Sequence, residues 1–153
     1  MAKLLKWIPL WILAAIALCA CNKSHAVIDS QNQQIKLSDW RNKWVIINYW
    51  AGWCESCVQE IPELNSFYQK HQKNIVLVGV NQDNLPKNQL IAAIKQLHIQ
   101  YPVLQTDPAK ILALPAVQVL PTTFIINPKG QLVKVLLGPQ STHSLEDIIN
   151  GKN

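Results

Sequence analysis

The sequence predicts one α/β domain, with a mixed central β-sheet and helices on both faces. Its 153 residues are about one domain's worth. Apolar residues make up 49% of the chain and charged residues 15%. That composition excludes disorder over most of the length, because disordered chains are rich in charge and poor in apolar residues. The elements read along the chain as strand, helix, strand, helix, strand hairpin and helix, an order typical of a mixed sheet covered by helices.

The first twenty residues predict a signal peptide. Lys3 and Lys6 form a short positive region, and residues 7–20 are an uninterrupted apolar run. That run is long enough for an export signal and short for a membrane span, and no run of 18 or more apolar residues exists. Without these two lysines, the net charge of +5 falls to a small excess of positive charge, which is scattered along the mature chain. No binding to nucleic acid is therefore predicted.

The end of the signal predicts lipidation at Cys21. The run Leu18-Cys19-Ala20-Cys21 resembles a bacterial lipobox, in which the signal is cut before a cysteine that carries the lipid. This resemblance implies a periplasmic or otherwise extracytoplasmic protein, bound to the membrane by a lipid on Cys21. A secretory signal cut elsewhere, or an uncleaved anchor, is the alternative. With Cys19 removed and Cys21 lipidated, only Cys54 and Cys57 remain. These two form one local pair, so the chain does not have the several structural disulfides of small secreted domains.

The first part of the mature chain predicts a tether, followed by the start of the sheet. Residues 21–34 are polar and lack periodicity, so they are interpreted as a tether and residues 35–153 as the domain. A short edge strand is expected around Ile35. Residues 44–50 are rich in β-branched and aromatic side chains and predict a buried central strand. Residues 54–73 predict a helix, because their apolar side chains recur every three or four positions.

The remaining elements follow from the same periodicities and from turn chemistry. Pro62 is expected to kink the first helix, because proline lacks the N–H group that a helix interior uses. Pro and Gly in residues 127–130 favour a turn, since Pro fixes φ and Gly tolerates positive φ. The other predicted elements are strands at 75–80, 122–126 and 131–137, a helix opening near Pro86, a helical turn at 109–113 and a terminal helix at 144–150, with a short apolar segment of no assigned type at 103–104.

The pair Cys54 and Cys57 lies where the predicted central strand passes into a helix. Free N–H groups and the helix dipole favour a thiolate at such an N-terminus, and the thiolate is the nucleophile. Cys54 is therefore predicted to attack and Cys57, one helical turn on, to resolve the mixed disulfide. Glu55 and Ser56 are expected to modulate the pair, and the Glu55 anion opposes thiolate formation.

Two other interpretations of the cysteine pair remain beside the catalytic one. Half a zinc site has the same spacing, but no histidine has ligand spacing to another histidine or cysteine, so no metal or cofactor is predicted. A structural disulfide without catalysis is the second alternative. The four histidines, which are expected at the surface, are His25, His71, His98 and His143.

Two segments resemble the thioredoxin superfamily. Residues 48–57, Asn-Tyr-Trp-Ala-Gly-Trp-Cys-Glu-Ser-Cys, are similar to its active-site segment, and residues 119–124, Val-Leu-Pro-Thr-Thr-Phe, to its cis-proline segment. The continuation from Glu60 and the run at 121–130 resemble the membrane-tethered TlpA/ResA branch. The resemblance spans about residues 33–150 and implies a thioredoxin-like fold.

The resemblance assigns further roles around the cysteines. It implies that Pro121 is cis, that the Leu120 backbone pairs with an incoming peptide strand, and that Trp53 shields the thiols and forms part of the docking surface. Glu60 has the spacing of a proton-handling residue, and a solvated helix carboxylate is the alternative. One departure is Asn48, where thioredoxin itself has a buried Asp. Another departure is Val119, where the branch often has Gly.

The function predicted from these features is that of an extracytoplasmic thiol-disulfide oxidoreductase. By resemblance it acts as a reductant of protein thiol or disulfide clients, for example apocytochrome c, and is recharged by a membrane thiol-disulfide electron donor. An oxidase or isomerase of secreted disulfides is the alternative. A copper-binding module on the same fold fits less well. Such modules have a C-x-x-x-C pattern and a distant histidine, whereas this chain has C-x-x-C. A peroxidase of the peroxiredoxin kind requires Thr where this chain has Ala51.

Overall fold

The computed structural model describes residues 25–152, which build a five-stranded mixed sheet in the strand order β5-β4-β3-β6-β7. A separate two-stranded hairpin precedes it. The strands are β1 (Ala26–Ile28), β2 (Gln34–Lys36), β3 (Trp44–Trp50), β4 (Ile75–Asn81), β5 (Val103–Leu104), β6 (Thr122–Ile126) and β7 (Leu132–Leu137). The helices are α1 (Glu55–His71), α2 (Lys87–Gln96), α3 (Thr142–Ile149) and a 3-10 helix at Leu37–Trp40.

The central strand is β3, and its sequence explains its position. It runs parallel to β4 and antiparallel to β6, and six of its seven residues are buried. Such a strand is buried on both faces, which is why its residues, apart from Asn48, are apolar without alternation. The predicted strands at 44–50 and 122–126 have the predicted bounds, and the short apolar segment at 103–104, which was not predicted as a strand, forms β5. The first helix is one unbroken element with Pro62 inside it.

Helical structure covers both faces of the sheet, but unequally. Ile46 and Trp50 point from β3 into a core that includes buried side chains of α1, α2 and α3. Val45, Ile47 and Tyr49 point the opposite way, as alternation along a strand requires. Among residues 25–152, the helical cover of that second face is the 3-10 helix alone, and the hairpin β1–β2 and the segment between β5 and β6 complete the cover.

The structure corrects the predicted boundary between tether and domain. Residues 26–34 were expected to belong to a tether, yet β1 pairs antiparallel with β2 and the Val27 side chain is fully buried. Ser30 N–H also donates to the Val103 carbonyl on the edge of the main sheet, at 2.8 Å. The folded domain therefore includes residues 26–34. The apolar run at 26–28 has only three residues and polar residues follow it, so the short hairpin has no extended apolar periodicity for sequence reasoning to detect.

The two ends of the sheet are chemically different. β3 and β4 both end beside the cysteine pair and Pro121, whereas both begin at the opposite end, where Trp44 pairs with Ile75. The predicted signal peptide and Cys21 lie outside the described residues. Within residues 25–152, no helix combines the length and the apolar character needed to cross a bilayer.

Candidate active site

Cys54 and Cys57 form a disulfide at the N-terminus of α1, with their Cα atoms 5.2 Å apart. Cys54 is the N-cap residue of this helix, with extended backbone, and Cys57 lies in its first turn. β3 delivers the chain to this point, and Ala51 O accepts a hydrogen bond from Cys54 N–H, which closes the turn between strand and helix. The sequence prediction that the pair lies where strand passes into helix is confirmed.

The two sulfurs have different surroundings. Cys57 is fully buried, while Cys54 keeps 7% of its surface exposed and is the outer residue of the pair. Cys57 N–H donates to Cys54 Sγ at 3.3 Å, and the Ser56 hydroxyl lies 3.5 Å from the same sulfur. Both donors stabilise negative charge on Cys54 Sγ once the disulfide opens. Glu55 points to solvent, where its carboxylate accepts from Gln59 Nε2.

The cis-proline segment and an exposed indole border the disulfide. The Leu120–Pro121 peptide bond is cis, as the resemblance implied. Val119 is 49% exposed, and its carbonyl accepts a hydrogen bond from the Thr122 hydroxyl at 2.7 Å. The residues that line the shallow hollow over the outer sulfur are Trp53, Cys54, Glu55, Ser56, Gln59 and Leu120.

Trp53 is held in place although most of its surface faces solvent. Its side chain is 72% exposed, and its indole Nε1–H donates to Asp83 Oδ1 at 2.8 Å. Asp83 lies in the loop after β4, and its own N–H donates to Asn81 Oδ1. The indole therefore has one anchored edge and one open face beside the disulfide, an arrangement suited to contact with a partner protein.

A buried carboxylate lies behind the disulfide, one turn along α1 from Cys57. Glu60 is 2% exposed, and its two oxygens accept separate hydrogen bonds, from Asn48 Nδ2 at 2.7 Å and from Gln140 N–H at 2.9 Å. Asn48 Nδ2 also donates to the Thr123 hydroxyl at 3.1 Å. The alternative in which Glu60 is a solvated helix residue is wrong, because its carboxylate is enclosed by three elements of the fold.

Burial raises the pKa of Glu60 above its ordinary value, because desolvation disfavours the charged carboxylate. The hydrogen bonds from Gln140 N–H and Asn48 Nδ2 lower the pKa and offset part of this effect. The amide of Asn48 cannot titrate. The buried carboxylate one turn from Cys57 is therefore Glu60, with Asn48 as one of its hydrogen-bond donors.

Two residues of this site were not predicted from the sequence. Asp83 and Gln140 lie in loops far along the chain from the cysteines, and neither belongs to a motif. Gln140 contributes its backbone N–H, which every residue except proline has, so no sequence signal for it exists. Asp83 can be read from the sequence after β4, but no pattern in the sequence indicates that its side chain contacts Trp53.

The histidines make ordinary surface contacts. His71 Nε2 lies 2.9 Å from Glu146 Oε1, and His143 Nε2 lies 3.2 Å from Asp147 Oδ2. Lys70 and His71 together lower the pKa of Glu146 to about 2. In the part of the chain from residue 25 to 152, no three His, Cys, Asp or Glu side chains form a group that could hold a metal ion.

Asp83→Ala is expected to weaken binding of protein partners about three- to tenfold while leaving the reduction potential of the pair unchanged. The substitution removes the acceptor that orients the exposed indole, and a hydrogen bond to a charged group contributes about 1.5–3 kcal/mol at most. The measurement is KM for a disulfide-bonded peptide, with kcat recorded separately.

Trp53→Phe is the matched control, because it keeps an aromatic ring and removes the N–H. If Asp83 acts only through the indole, the double variant is expected to bind no more weakly than Trp53→Phe alone. Additive losses in the double variant would contradict the positioning role of Asp83.

Known proteins with similar sequences are thiol-disulfide oxidoreductases. A model of the AhpC/TSA family matches residues 19–135. Thiol-disulfide oxidoreductase ResA of Bacillus subtilis is 34% identical over 126 residues, which cover 80% of this chain and 68% of that protein. Sporulation thiol-disulfide oxidoreductase A of the same organism is 30% identical over 105 residues, 67% of this chain and 64% of that protein.

Solved structures share the fold. The crystal structure of StoA from Bacillus subtilis superposes with a TM-score of 0.66 at 24% identity, covering 80% of this chain and 93% of that one. The exposed lipoprotein thioredoxin Etrx1 of Streptococcus pneumoniae gives a TM-score of 0.71 at 23% identity, covering 83% and 98%. The predicted thioredoxin-like fold is confirmed. With these matches and a cysteine pair at the N-terminus of α1, the chain belongs to the AhpC/TSA family and is a thioredoxin-like, ResA-like thiol-disulfide oxidoreductase.

Proposed function

We propose that this enzyme works outside the cytoplasm as a reductant of protein disulfides, with Cys54 as the nucleophile and Cys57 as the resolving residue. One observation carries the assignment of the two roles. Cys54 is the outer sulfur, in the hollow bordered by Trp53 and Leu120, whereas Cys57 is fully buried behind it. A client disulfide can approach Cys54 and has no path to Cys57.

The exchange begins with the pair reduced. The Cys54 thiolate attacks one sulfur of the client disulfide, the client's S–S bond breaks, and the other client sulfur leaves as a thiolate that takes up a proton. Cys57 then loses its proton and attacks Cys54 Sγ in the mixed disulfide. The Cys54–Cys57 bond forms, the second client thiol is released, and two electrons have passed to the client.

The surroundings of the pair favour this sequence of steps. The N-terminus of α1 and the Ser56 hydroxyl stabilise the attacking thiolate. The buried thiol of Cys57 must lose its proton before it can attack, and burial opposes that loss. Glu60 is the buried carboxylate one turn away, and its raised pKa makes it a stronger proton acceptor than an ordinary carboxylate.

The client is proposed to dock as an extended segment against the cis-proline loop. Leu120 precedes the cis bond and borders the hollow, where its backbone can pair with a client strand. Trp53 supplies the opposite wall. Apocytochrome c, whose haem-binding cysteines must be reduced, is the proposed example of a client. A membrane thiol-disulfide electron donor is proposed to restore the reduced pair.

The location outside the cytoplasm rests on the N-terminal sequence. The apolar run at residues 7–20 and the lipobox around Cys21 support export and lipidation. A structurally similar protein, Etrx1, is described as an exposed lipoprotein. Several acyl chains on Cys21 would hold the protein on the membrane, since each buried methylene contributes about 0.8 kcal/mol.

The reduction potential of the Cys54–Cys57 pair tests the proposed direction. Equilibrating the protein with glutathione or dithiothreitol buffers is expected to give a value near or below about −250 mV, towards the −270 mV of thioredoxin. A value near about −120 mV, which is that of a strong periplasmic oxidant, would contradict the reductant role and make the enzyme a disulfide donor.

A further inference from the structure

We propose that the end of the domain opposite the disulfide rests on an anionic lipid surface. The surface in question, here named the basal surface, consists of four cationic side chains in three loops. These are Arg41 and Lys43 before β3, Lys73 before β4, and Lys129 between β6 and β7. The disulfide would then face away from the membrane.

Strand register places the three loops together. Trp44, the first residue of β3, pairs with Ile75, the first residue of β4, and Val45 pairs with Ile126 at the end of β6. The loops that precede β3 and β4 and the loop that follows β6 therefore share one end of the sheet. The seven residues of β3 separate this end from the cysteines by about 20 Å, at roughly 3.3 Å per residue.

The four cations of the basal surface are available for a ligand. Arg41, Lys73 and Lys129 are exposed and Lys43 is half-buried. Within residues 25–152 no carboxylate forms an ion pair with any of them, because the ion pairs of that part of the chain use other lysines and two histidines. Near the disulfide the exposed charges include carboxylates, on Glu55 and Asp83. With four cations beside one exposed carboxylate, Asp39 of the 3-10 helix, the basal end carries a net positive charge.

A cavity with an apolar floor opens between two of these cations. It has a volume of about 380 Å³ and is bordered by Arg41 and Lys129. The apolar side chains that line it are Leu37, Trp40, Val45, Leu112 and Ile126. An anionic group at the rim with apolar surface beneath it is the chemistry that a phospholipid interface offers.

The path of the chain makes a membrane the fitting occupant. Leu37 N–H donates to the His25 carbonyl at 2.9 Å, so the N-terminal segment leaves the fold beside this cavity. Cys21 is four residues before His25, and four extended residues reach at most about 14 Å. The inference rests on the proposed lipidation of Cys21. A lipid there would leave only a short connection to the fold, which would bring the basal surface to the bilayer.

The test uses the full chain on lipid vesicles and hydrogen exchange of its amides. Residues 41–43, 72–74 and 127–131 are expected to exchange at least about threefold more slowly on phosphatidylcholine vesicles that contain phosphatidylglycerol than on phosphatidylcholine alone. High salt is expected to remove the difference, because it screens exposed charges. Equal exchange on the two lipids would overturn the proposal.

A matched pair of variants separates the basal surface from net charge. Arg41→Glu with Lys129→Glu is expected to abolish the lipid-dependent protection. Lys87→Glu with Lys95→Glu changes the net charge equally on α2 and is expected to keep it. Protection that survives the first pair, or is lost with the second, would contradict the proposal, and the salt dependence of the unaltered chain tests it without any substitution.

Two separate measurements distinguish failure of this inference from failure of the proposed function. The mass of the N-terminal peptide from the producing cell reports whether Cys21 is lipidated. Disulfide exchange in solution reports whether the redox site works. If the enzyme is lipidated and active but anionic lipid does not slow hydrogen exchange in its basal loops, only the docking of the basal surface is overturned.

Discussion

Cys54→Ser is expected to abolish disulfide exchange, lowering the rate at least about a thousandfold, as loss of a nucleophile does in other enzymes. Cys54 carries the outer sulfur, and Cys57 is fully buried and cannot replace it. A serine hydroxyl at the same helix N-terminus stays protonated at neutral pH, so no anion forms there to attack a sulfur. The measurement is the rate of reduction of a disulfide-bonded peptide by the reduced enzyme under single-turnover conditions.

Cys57→Ser is the informative companion, because it has a different expected result. Cys54 can still attack, but the mixed disulfide has no internal thiol to resolve it. Mass spectrometry is expected to find the client covalently bound through Cys54. If instead Cys54→Ser accumulates the mixed disulfide and Cys57→Ser does not, the assigned roles of the two cysteines are reversed.

Glu60→Gln is expected to slow resolution of the mixed disulfide about a hundredfold at neutral pH, which is the lower range for loss of a general base. The substitution preserves the shape of the side chain and removes the buried proton acceptor one turn along α1 from Cys57. The rate of client release in wild type is expected to rise with pH through a transition above the ordinary glutamate range, because burial raises the pKa of Glu60. That transition is expected to disappear in Glu60→Gln.

The same carboxylate links stability to pH. Its pKa is raised in the folded protein, so its contribution to stability is fully present below the ordinary value of 4.5 and is lost as the pH rises through the folded-state pKa. The oxidised wild-type protein is therefore expected to lose stability over that window. Glu60→Gln is expected to show a smaller loss in urea unfolding followed across the same pH range.

Glu63→Gln is the matched control on the same helix. Glu63 accepts hydrogen bonds from Thr142 at the start of α3, and these bonds lower its pKa. It lies on the exposed side of α1, so its loss is not expected to change the pH profile of client release. A transition that persists in Glu60→Gln, or vanishes in Glu63→Gln, would show that Glu60 is not the group that titrates.

Strands and helices with strong local patterns were predictable from the sequence. β3 has the predicted bounds, because six of its seven residues are β-branched or aromatic, which suits a strand covered on both faces. The terminal helix begins at Thr142, two residues earlier than predicted. There Ser141 and Ser144 form a capping box, a signal that the apolar spacing of the helix does not contain.

The hairpin β1–β2 was not predictable, and the reason is physical. Its strands have three residues each, and Val27 is its one fully buried side chain. An isolated hairpin of this size is marginal in water. It is held by contacts with residues far along the chain, such as the bond from Ser30 N–H to Val103 O. The local sequence pattern of residues 26–34 therefore favoured a tether, although tertiary contacts make residues 26–28 a strand.

By itself, the sequence determined the redox pair, the helix that begins at it, the cis-proline segment and the succession of the main strands along the chain. Each of these depends on neighbouring residues or on a short motif. Only the tertiary structure decided that Glu60 is buried between Asn48 and Gln140, that Asp83 holds Trp53, and that four cations share the basal end. These features join residues far apart in the chain. Their pairing depends on strand register and loop paths, which local physical chemistry does not specify.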